Sequence, residues 1–375
     1  MKFPTRIALV HDWLTGMRGG EKCLEVLCEL FPAATLFTLL RRPNSTSTSI
    51  ERMEIRTSFI HDLPLSQSLY RYYLPLFPTA IEQFDLRGYD MVVSLSHCVA
   101  KGIRPPPDAL HVCYCFTPMR YVWDQYELYF GKGRGGFFTP LVAPFVARSL
   151  RTWDVASSSR VDHFVAISKH VQSRIRRYYR RESSVIYPPV DVSAFSLSEK
   201  DGGYYLIVSA LVPYKRIDLA IEAFNRTSER LVIVGGGPDE WRLKSRAGKN
   251  IEFVGNVSAP ELPPYYENCR AFIFPGEEDF GITAVEAQAC GKPVIAYARG
   301  GALETVMATG ANRTGVFFDD PTVESLNQAL REFQSMKFRP TMIRRNAERF
   351  ARPIFIRRIE RLLQEKWLDR SRTAR

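Results

Sequence analysis

At 375 residues the chain is long for one domain, and with 45% hydrophobic and 24% charged residues it is not a mainly disordered one. No apolar run is long enough to span a bilayer, and the start MKFPTRIALVHDW is too short in apolar residues before His11 and Asp12 to be a secretory leader, so a cytoplasmic location, at the inner face of the cell membrane, is expected. The formal charge of +11 is uneven: residues 1–190 hold 24 Lys+Arg against 16 Asp+Glu, and residues 191–375 hold 27 against 24, so anionic partners are expected mainly of the first half.

The first half opens with the apolar run RIALVHDWL, then the loop TGMRGG, then EKCLEVLCELF, where Cys23, Leu24, Leu27, Cys28 and Phe31 recur at helical spacing. This reads as strand, glycine loop, helix. Further strand candidates are TLFTLL (35–40), MVVSLS (91–96), LHVCYCF (110–116) and HFVAIS (163–168), with helical patterns between several of them. The stretch 185–203, VIYPPVDVSAFSLSEKDGG, breaks the rhythm and reads as a linker. After it come YYLIVSAL (204–211), a helix from about Ile217 to Asn225, LVIVGGG (231–237), IEFVGNV (251–257), AFIFPG (271–276), PVIA (293–296) and a late strand GVFF. The tail FIRRIERLLQEKWLDR is amphipathic, with Phe355, Ile356, Ile359, Leu362, Leu363 and Trp367 on one side. Strands alternating with helices indicate parallel sheets covered on both faces. The predicted fold class is therefore α/β, with two Rossmann-like doubly wound domains facing a cleft. Ligands bind beyond the carboxyl ends of such strands, where every glycine or charged loop of interest falls. The seven cysteines include no CxxC pair, and Cys113 and Cys115 are poorly spaced for a metal, so reduced thiols are expected.

Five places could carry chemistry. Lys215 and Arg216 end the loop VPYKR before the helix IDLAIEAF; two cations at a helix amino end conflict with its dipole, and a bound phosphate pair would offset the conflict, whereas the bland alternative is a solvated pair. In PGEEDFGITAVEAQACGKPVIA (275–296), Gly281 starts a helix whose first amides suit a diphosphate. Ile282, Val285 and Ala289 lie at packing spacing, Glu286 falls on another face able to accept two sugar hydroxyls, and Glu278 lies in the preceding loop; an exposed acidic loop is the alternative. The loop GMRGGE (16–21) could hold an anion or be an ordinary tight turn, and it lacks GxGxxG spacing. His97, ending a strand of the first half, could bond a sugar hydroxyl or a phosphate, or be a satisfied structural histidine; His11 and Asp12 raise the same question, and Arg120 and Asp124 sit among aromatics in CFTPMRYVWDQY (115–126) in a manner suited to carbohydrate, with ordinary packing of a buried loop as the alternative. Lastly RIRRYYRR (174–181) is a dense basic face that could touch anionic lipid, though a solvated face is the commoner outcome, and no nucleic-acid-binding motif accompanies it.

Taken together, SALVPYKRIDLAIEAF, LVIVGGGPDE, the stretch IEFVGNVSAPELPPYYENCRAFIFPGEEDFGITAVEAQACGKPVIA and GGALETV resemble the retaining glycosyltransferases of family 4, which have the GT-B fold. The first half matches through LVHDWLTGMRGGEKCLEVL, CYCFTPMRYVWDQYE, HFVAISKHVQSRIRRYY and VIYPPVDVSAF, so the resemblance spans nearly the whole chain; the CYCFTPMRYVWD segment is similar to mannosyltransferases of O-antigen or exopolysaccharide assembly. The resemblance implies an acceptor-binding domain 1–190, completed by a C-terminal helix at about 353–375, and a nucleotide-sugar-binding domain 200–350. It further implies that Lys215 and Arg216 bind the donor diphosphate, Glu286 the ribose, and Glu278 with the backbone of Phe280, Gly281 and Ile282 the donor sugar. His97 would contact that sugar, Gly19 and Gly20 would lie near phosphates and acceptor, and Arg120 would join the substrate site. His97, Lys215 and Glu278 are the expected catalytic residues, with no cofactor and no metal; Asp319-Asp320 reads as a turn. Mannose from GDP-mannose is the expected donor, a lipid-linked or saccharide chain the acceptor, with peripheral contact to an anionic membrane and no nucleic-acid partner. A nucleotide-sugar epimerase of GT-B architecture and a non-catalytic nucleotide-sugar or polyanion binder are the rival readings.

Overall fold

Strand β1, Ile7–His11, is buried at all five positions, as a central parallel strand must be. In the computed structural model, which describes residues 3–124 and 139–373, it lies mid-sheet. Its sheet also contains β2 (Thr35–Thr38), β3 (Glu54–Thr57), β4 (Met91–Ser96), β5 (Leu110–Cys115), β6 (His163–Ala166) and β7 (Ser183–Val185). Among the described residues the order is β3-β2-β1-β4-β5-β6-β7, parallel throughout. The edge strands β3 and β7 have no fully buried position and carry polar or short side chains, Glu54, Arg56 and Thr57 in one and Ser183 and Ser184 in the other. Hydrophobic periodicity does not flag them, because only one neighbouring strand and one face reward their burial.

A second sheet contains β8 (Tyr204–Val208), β9 (Arg230–Val234), β10 (Ile251–Gly255), β11 (Ala271–Phe274), β12 (Val294–Tyr297) and β13 (Gly315–Phe318), in the order β10-β9-β8-β11-β12-β13, again parallel. The chain divides accordingly into one unit of Met1–Pro188 with Phe355–Arg375 and another of Pro189–Ile354. The stretch read as a linker is partly structural: Val190 is buried and bridges Ala351, its amide donating to the Phe350 carbonyl at 3.0 Å. From Phe355 onward the helix Arg352–Thr373 packs on the first unit. Phe355, Ile359 and Leu363 are buried, and Phe355 meets Tyr114 edge-on at 5.6 Å. Ile356, Leu362 and Trp367, from the same predicted stripe, are half-buried.

Each unit has its own core. In the first, Val10, Phe37, Val92, Met119 and Leu150 belong to one cluster; in the second, Tyr205, Ile233, Ile273, Leu326 and Phe333 do. Phe224, wholly buried, meets Tyr205 at 5.4 Å; truncating such a ring to alanine costs about 3–5 kcal/mol. All seven cysteines are free and buried, and burial pushes the Cys28 and Cys290 thiols up to about 12, so they are inert packing groups.

Candidate functional site

In both sheets the first strand of the unit is flanked on one side by the second and on the other by a later strand, β4 beside β1 and β11 beside β8. The direction of winding reverses there, which leaves a crevice at the carboxyl ends. Of the residues singled out by sequence, Asp12 and His97 fall at the first of these points and Lys215, Arg216 and Glu278 at the second.

In the second unit, Lys215 follows β8 and Glu278 follows β11. Lys215 Nζ lies 2.5 Å from Glu278 Oε1, both side chains being about one-sixth exposed, and the ammonium sits 5.3 Å from the centre of the Tyr214 ring. The two loops touch through backbone. A Cβ on Gly276 would come within 2.7 Å of the Tyr214 carbonyl oxygen and 2.9 Å of Lys215 Cα, so only glycine lets them approach. Gly281, at φ +89, turns the chain into the helix Ile282–Ala289, and a Cβ there would strike Phe274 at 2.7 Å. The Gly301 amide donates to the Glu278 carbonyl at 2.7 Å and fixes the loop from the β12 side. Phe280 is buried against Phe350, ring centres 5.3 Å apart, and Ile282 is half-buried.

Glu286 sits differently from expectation. The helix Ile282–Ala289 is buried on nearly every side, and Glu286 is only 4% exposed. Its Oε2 accepts a hydrogen bond from the Tyr266 hydroxyl at 2.9 Å. Burial and the neighbouring carboxylate hold the Tyr266 phenol well above its ordinary range, so tyrosine is the donor. Tyr266 was not a sequence candidate, and its place in YYEN carries no spacing that would have found it. The helix is further locked by Gln288, whose side-chain amide donates to the Thr305 carbonyl at 3.0 Å and accepts from Asn346 at 2.7 Å. Arg216 adopts a left-handed conformation, φ +54, just before the helix Ile217–Phe224, and its Nε lies 3.5 Å from Asp218 Oδ1. The clash between a cation and the helix amino end is thus partly relieved within the chain, by an acid in the first turn.

The first unit presents a mirrored arrangement. Asp12, just after β1, is wholly buried and accepts four backbone amides, those of His97, Cys98, Val99 and Ala100, at 2.6–3.0 Å. It also lies 3.0 Å from His97 Nδ1. Burial pushes its carboxyl up, but the His97 charge and hydrogen bond and the His11 charge outweigh it, and the net value falls to about 2. Nδ1 is committed to Asp12, which leaves Nε2 for another partner; the side chain is 25% exposed, and Trp13 packs edge-on against it at 4.4 Å. Behind this turn Lys101 is buried, donating to the Asp154 carbonyl and Ser157 hydroxyl, each at 2.7 Å, and pairing with the Asp154 carboxylate at 3.0 Å.

His11, the other strand-end histidine, is wholly buried; its Nε2 lies 3.6 Å from Glu21 Oε1, and neither ring nitrogen has a hydrogen-bond partner among the described residues. Gly19 and Gly20 begin the helix Gly19–Leu30 directly above it, and a Cβ on Gly20 would touch His11 and Phe116 at 3.4 Å. Glu21 accepts from the Arg18 amide at 3.0 Å.

Asp124 is exposed and is held by Arg174 and the Tyr178 hydroxyl, while Arg120 nearby is half-buried and engaged. Residues 125–127 of that segment lie outside the described residues. The basic run 174–181 is not one cationic face. Arg174 is buried and donates to Thr117 at 2.6 Å, Arg181 donates to the carbonyls of Ser158 and Val161, and Tyr179 is buried on Asp154. Only Arg176, Arg177 and Arg180 point outward. Asp319 and Asp320 are exposed after β13. No helix among the described residues is long and apolar enough to cross a membrane.

Residues 192–350 match the family model described as Glycosyl transferases group 1. A GDP-mannose-dependent alpha-(1-6)-phosphatidylinositol monomannoside mannosyltransferase of Mycobacterium tuberculosis is 31% identical over 44% of this chain and 51% of its own length. The O-antigen chain mannosyltransferase RfbU of Salmonella typhimurium is 32% identical over 37% and 43%. The chain thus spans about half the length of the curated relatives it matches. Over 98% of this chain and all of the other, the fold is similar to that of sucrose-phosphate synthase from Thermosynechococcus elongatus, with a TM-score of 0.69 at 16% identity.

Proposed function

We propose, from the premise that residues 192–350 form a glycosyl transferases group 1 domain and that the fold is GT-B, that this protein is a retaining, metal-independent glycosyltransferase of family 4. It moves mannose from GDP-mannose to a lipid-linked or polysaccharide acceptor in surface-glycan assembly. The observation that supports this most is the pairing of Lys215 with Glu278 at the β8–β11 switch point, just before the Gly281 start of the helix that carries Glu286. The mannose and acceptor assignments rest on likeness to the two mannosyltransferases.

In this reading the Lys215 ammonium exchanges Glu278 for the donor diphosphate, joined by Arg216 and the unpaired first amides of the helix after Gly281. Negative charge on the leaving diphosphate grows as the glycosidic bond breaks, so these groups favour the transition state over the ground state. Glu278, once released, accepts from hydroxyls of the sugar; Glu286, held by Tyr266, accepts from the ribose. Phe280 and Ile282 offer backbone to the donor. His97, oriented by Asp12, bonds the donor sugar, and Gly19, Gly20 and Arg120 serve the acceptor side. The acceptor hydroxyl attacks on the leaving group's own face and gives its proton to the departing phosphate, so no protein nucleophile is required.

A thermal-shift panel tests the donor: GDP-mannose should raise the melting temperature more than UDP-glucose, UDP-galactose or ADP-glucose. Transfer should persist in EDTA and yield an α-linked product. A panel in which no nucleotide sugar moves the melting curve would sink the reading.

A further inference from the structure

Residues 59–76 of the first unit carry apolar side chains on both faces. The inner set is ordinary: Ile60, Tyr70 and Phe77 are buried, and Trp13 packs between Tyr70 at 5.1 Å and Phe77 at 6.0 Å. The outer set is not. Leu65, Leu69, Tyr72 and Leu76 are 69%, 42%, 80% and 43% exposed along the short helix Ser66–Leu69, which Leu65 precedes, and the 3-10 segment Tyr70–Leu76, which runs straight into the helix Phe77–Glu82. Single exposed leucines are common on any surface, but Leu65, Leu69, Tyr72 and Leu76 exposed within one short segment form an apolar stripe along it.

The stripe is built, not frayed. Ser66 donates to the His61 carbonyl and Tyr73 to the Pro64 carbonyl, each at 2.8 Å. Leu65 is held in the left-handed region, φ +52, which a leucine adopts only where its surroundings enforce it. Its charge setting is cationic past Asp62, which is exposed just before it. Between residues 63 and 76 the only charged side chain is Arg71, which is exposed beside Tyr72, and Arg42 reaches over from after β2 to donate to the Gln67 carbonyl at 3.3 Å. Leucines flanked by tyrosine and arginine, without interspersed acids, match the boundary between lipid headgroups and acyl chains: aliphatic groups enter, the phenol stays at headgroup level and guanidinium groups meet phosphates. The +8 balance of residues 1–190 adds long-range attraction to the same kind of surface.

We propose that the stripe Leu65, Leu69, Tyr72 and Leu76, with Arg42 and Arg71 beside it, docks this protein on an anionic bilayer surface. This moves the membrane-facing element away from the basic run 174–181, which contains no exposed large apolar side chain. It does not depend on the identity of the donor or acceptor.

The test is co-sedimentation of the full chain with vesicles of phosphatidylglycerol and phosphatidylethanolamine, against vesicles of phosphatidylcholine alone. The wild type should bind the anionic vesicles, less strongly as salt rises. The combined variant Leu65→Ser, Leu69→Ser, Tyr72→Ser should lose about tenfold or more in binding, whereas Arg176→Glu with Arg177→Glu and Arg180→Glu should change it by less than about threefold. If the combined variant does not fold, Leu65→Ser and Tyr72→Ser made singly should each lose about threefold. Equal binding by stripe variant and wild type overturns the proposal, as does a wild type that ignores anionic vesicles. A wild-type dimer that the stripe variant turns into monomers, with no vesicle binding, assigns the face to a second copy and overturns it too.

Discussion

At the end of β1 and β4 a carboxylate, Asp12, faces a base on the later strand, His97; at the end of β8 and β11 a base, Lys215, faces a carboxylate on the later strand, Glu278. The acid and base have exchanged places between the two units. The first pair is closed: Asp12 is wholly buried and its oxygens are taken by four amides of one turn. The second is a partly exposed ion pair between flexible side chains on glycine-shaped loops. A carboxylate saturated by backbone amides is a structural anchor that aims one imidazole. An ammonium paired with one movable carboxylate can change partner, as anion binding requires.

The largest effect should come from breaking the closed pair. Asp12→Ala leaves buried amides without an acceptor and should cost about 3–5 kcal/mol, read as a lowered urea midpoint. An unchanged midpoint would mean the turn is held by Lys101 alone. Breaking the open pair should do the opposite: Lys215→Ala should leave the midpoint nearly unchanged but lower kcat/KM for transfer by about 2–4 kcal/mol, roughly 30- to 1,000-fold. Loss of stability without loss of transfer would reverse the two roles.

Acid should also distinguish the units, because all six histidines lie in the first. His111 is buried in β5, with Nδ1–H donating to the Arg160 carbonyl at 2.9 Å and Nε2 accepting from Ser94 at 2.8 Å. Burial lowers its value from 6.5 to about 4. The folded state therefore binds fewer protons than the unfolded one between those values, so this contribution is complete above pH 6.5 and is lost as pH falls towards 4. Acidification from about pH 7 to about pH 5 should remove about 2 kcal/mol from the first unit, and His111→Gln should flatten that slope in denaturant titrations.

The smallest effect compares two left-handed arginines, Arg180 and Arg216, both at φ +54. Arg180→Gly should stabilise the chain by about 0.5–1 kcal/mol and leave transfer intact. Arg216→Gly should relieve the same strain yet raise the donor KM. Equal transfer by both variants would remove Arg216 from the diphosphate site.

Legibility in the sequence followed burial. Central strands such as MVVSLS and AFIF are buried at every position and mostly apolar because parallel strands are covered on both faces, so their places could be read directly. Edge strands EIRT and SSV gave no such signal. Loops with charge at strand ends stood out, since carboxylates and lysines beside apolar runs conflict with burial unless something answers them. What answers them could not be read. Glu286 and Tyr266 are 20 residues apart, and Asp12 reaches amides 85 to 88 residues away; local spacing carries no trace of such pairings. Nor could the sequence divide RIRRYYRR into arginines that pin carbonyls and arginines that face water, or show that Leu65, Leu69, Tyr72 and Leu76 stay outside. Composition and period say that a residue wants burial or a partner. Only the packing of distant segments decides whether it finds one.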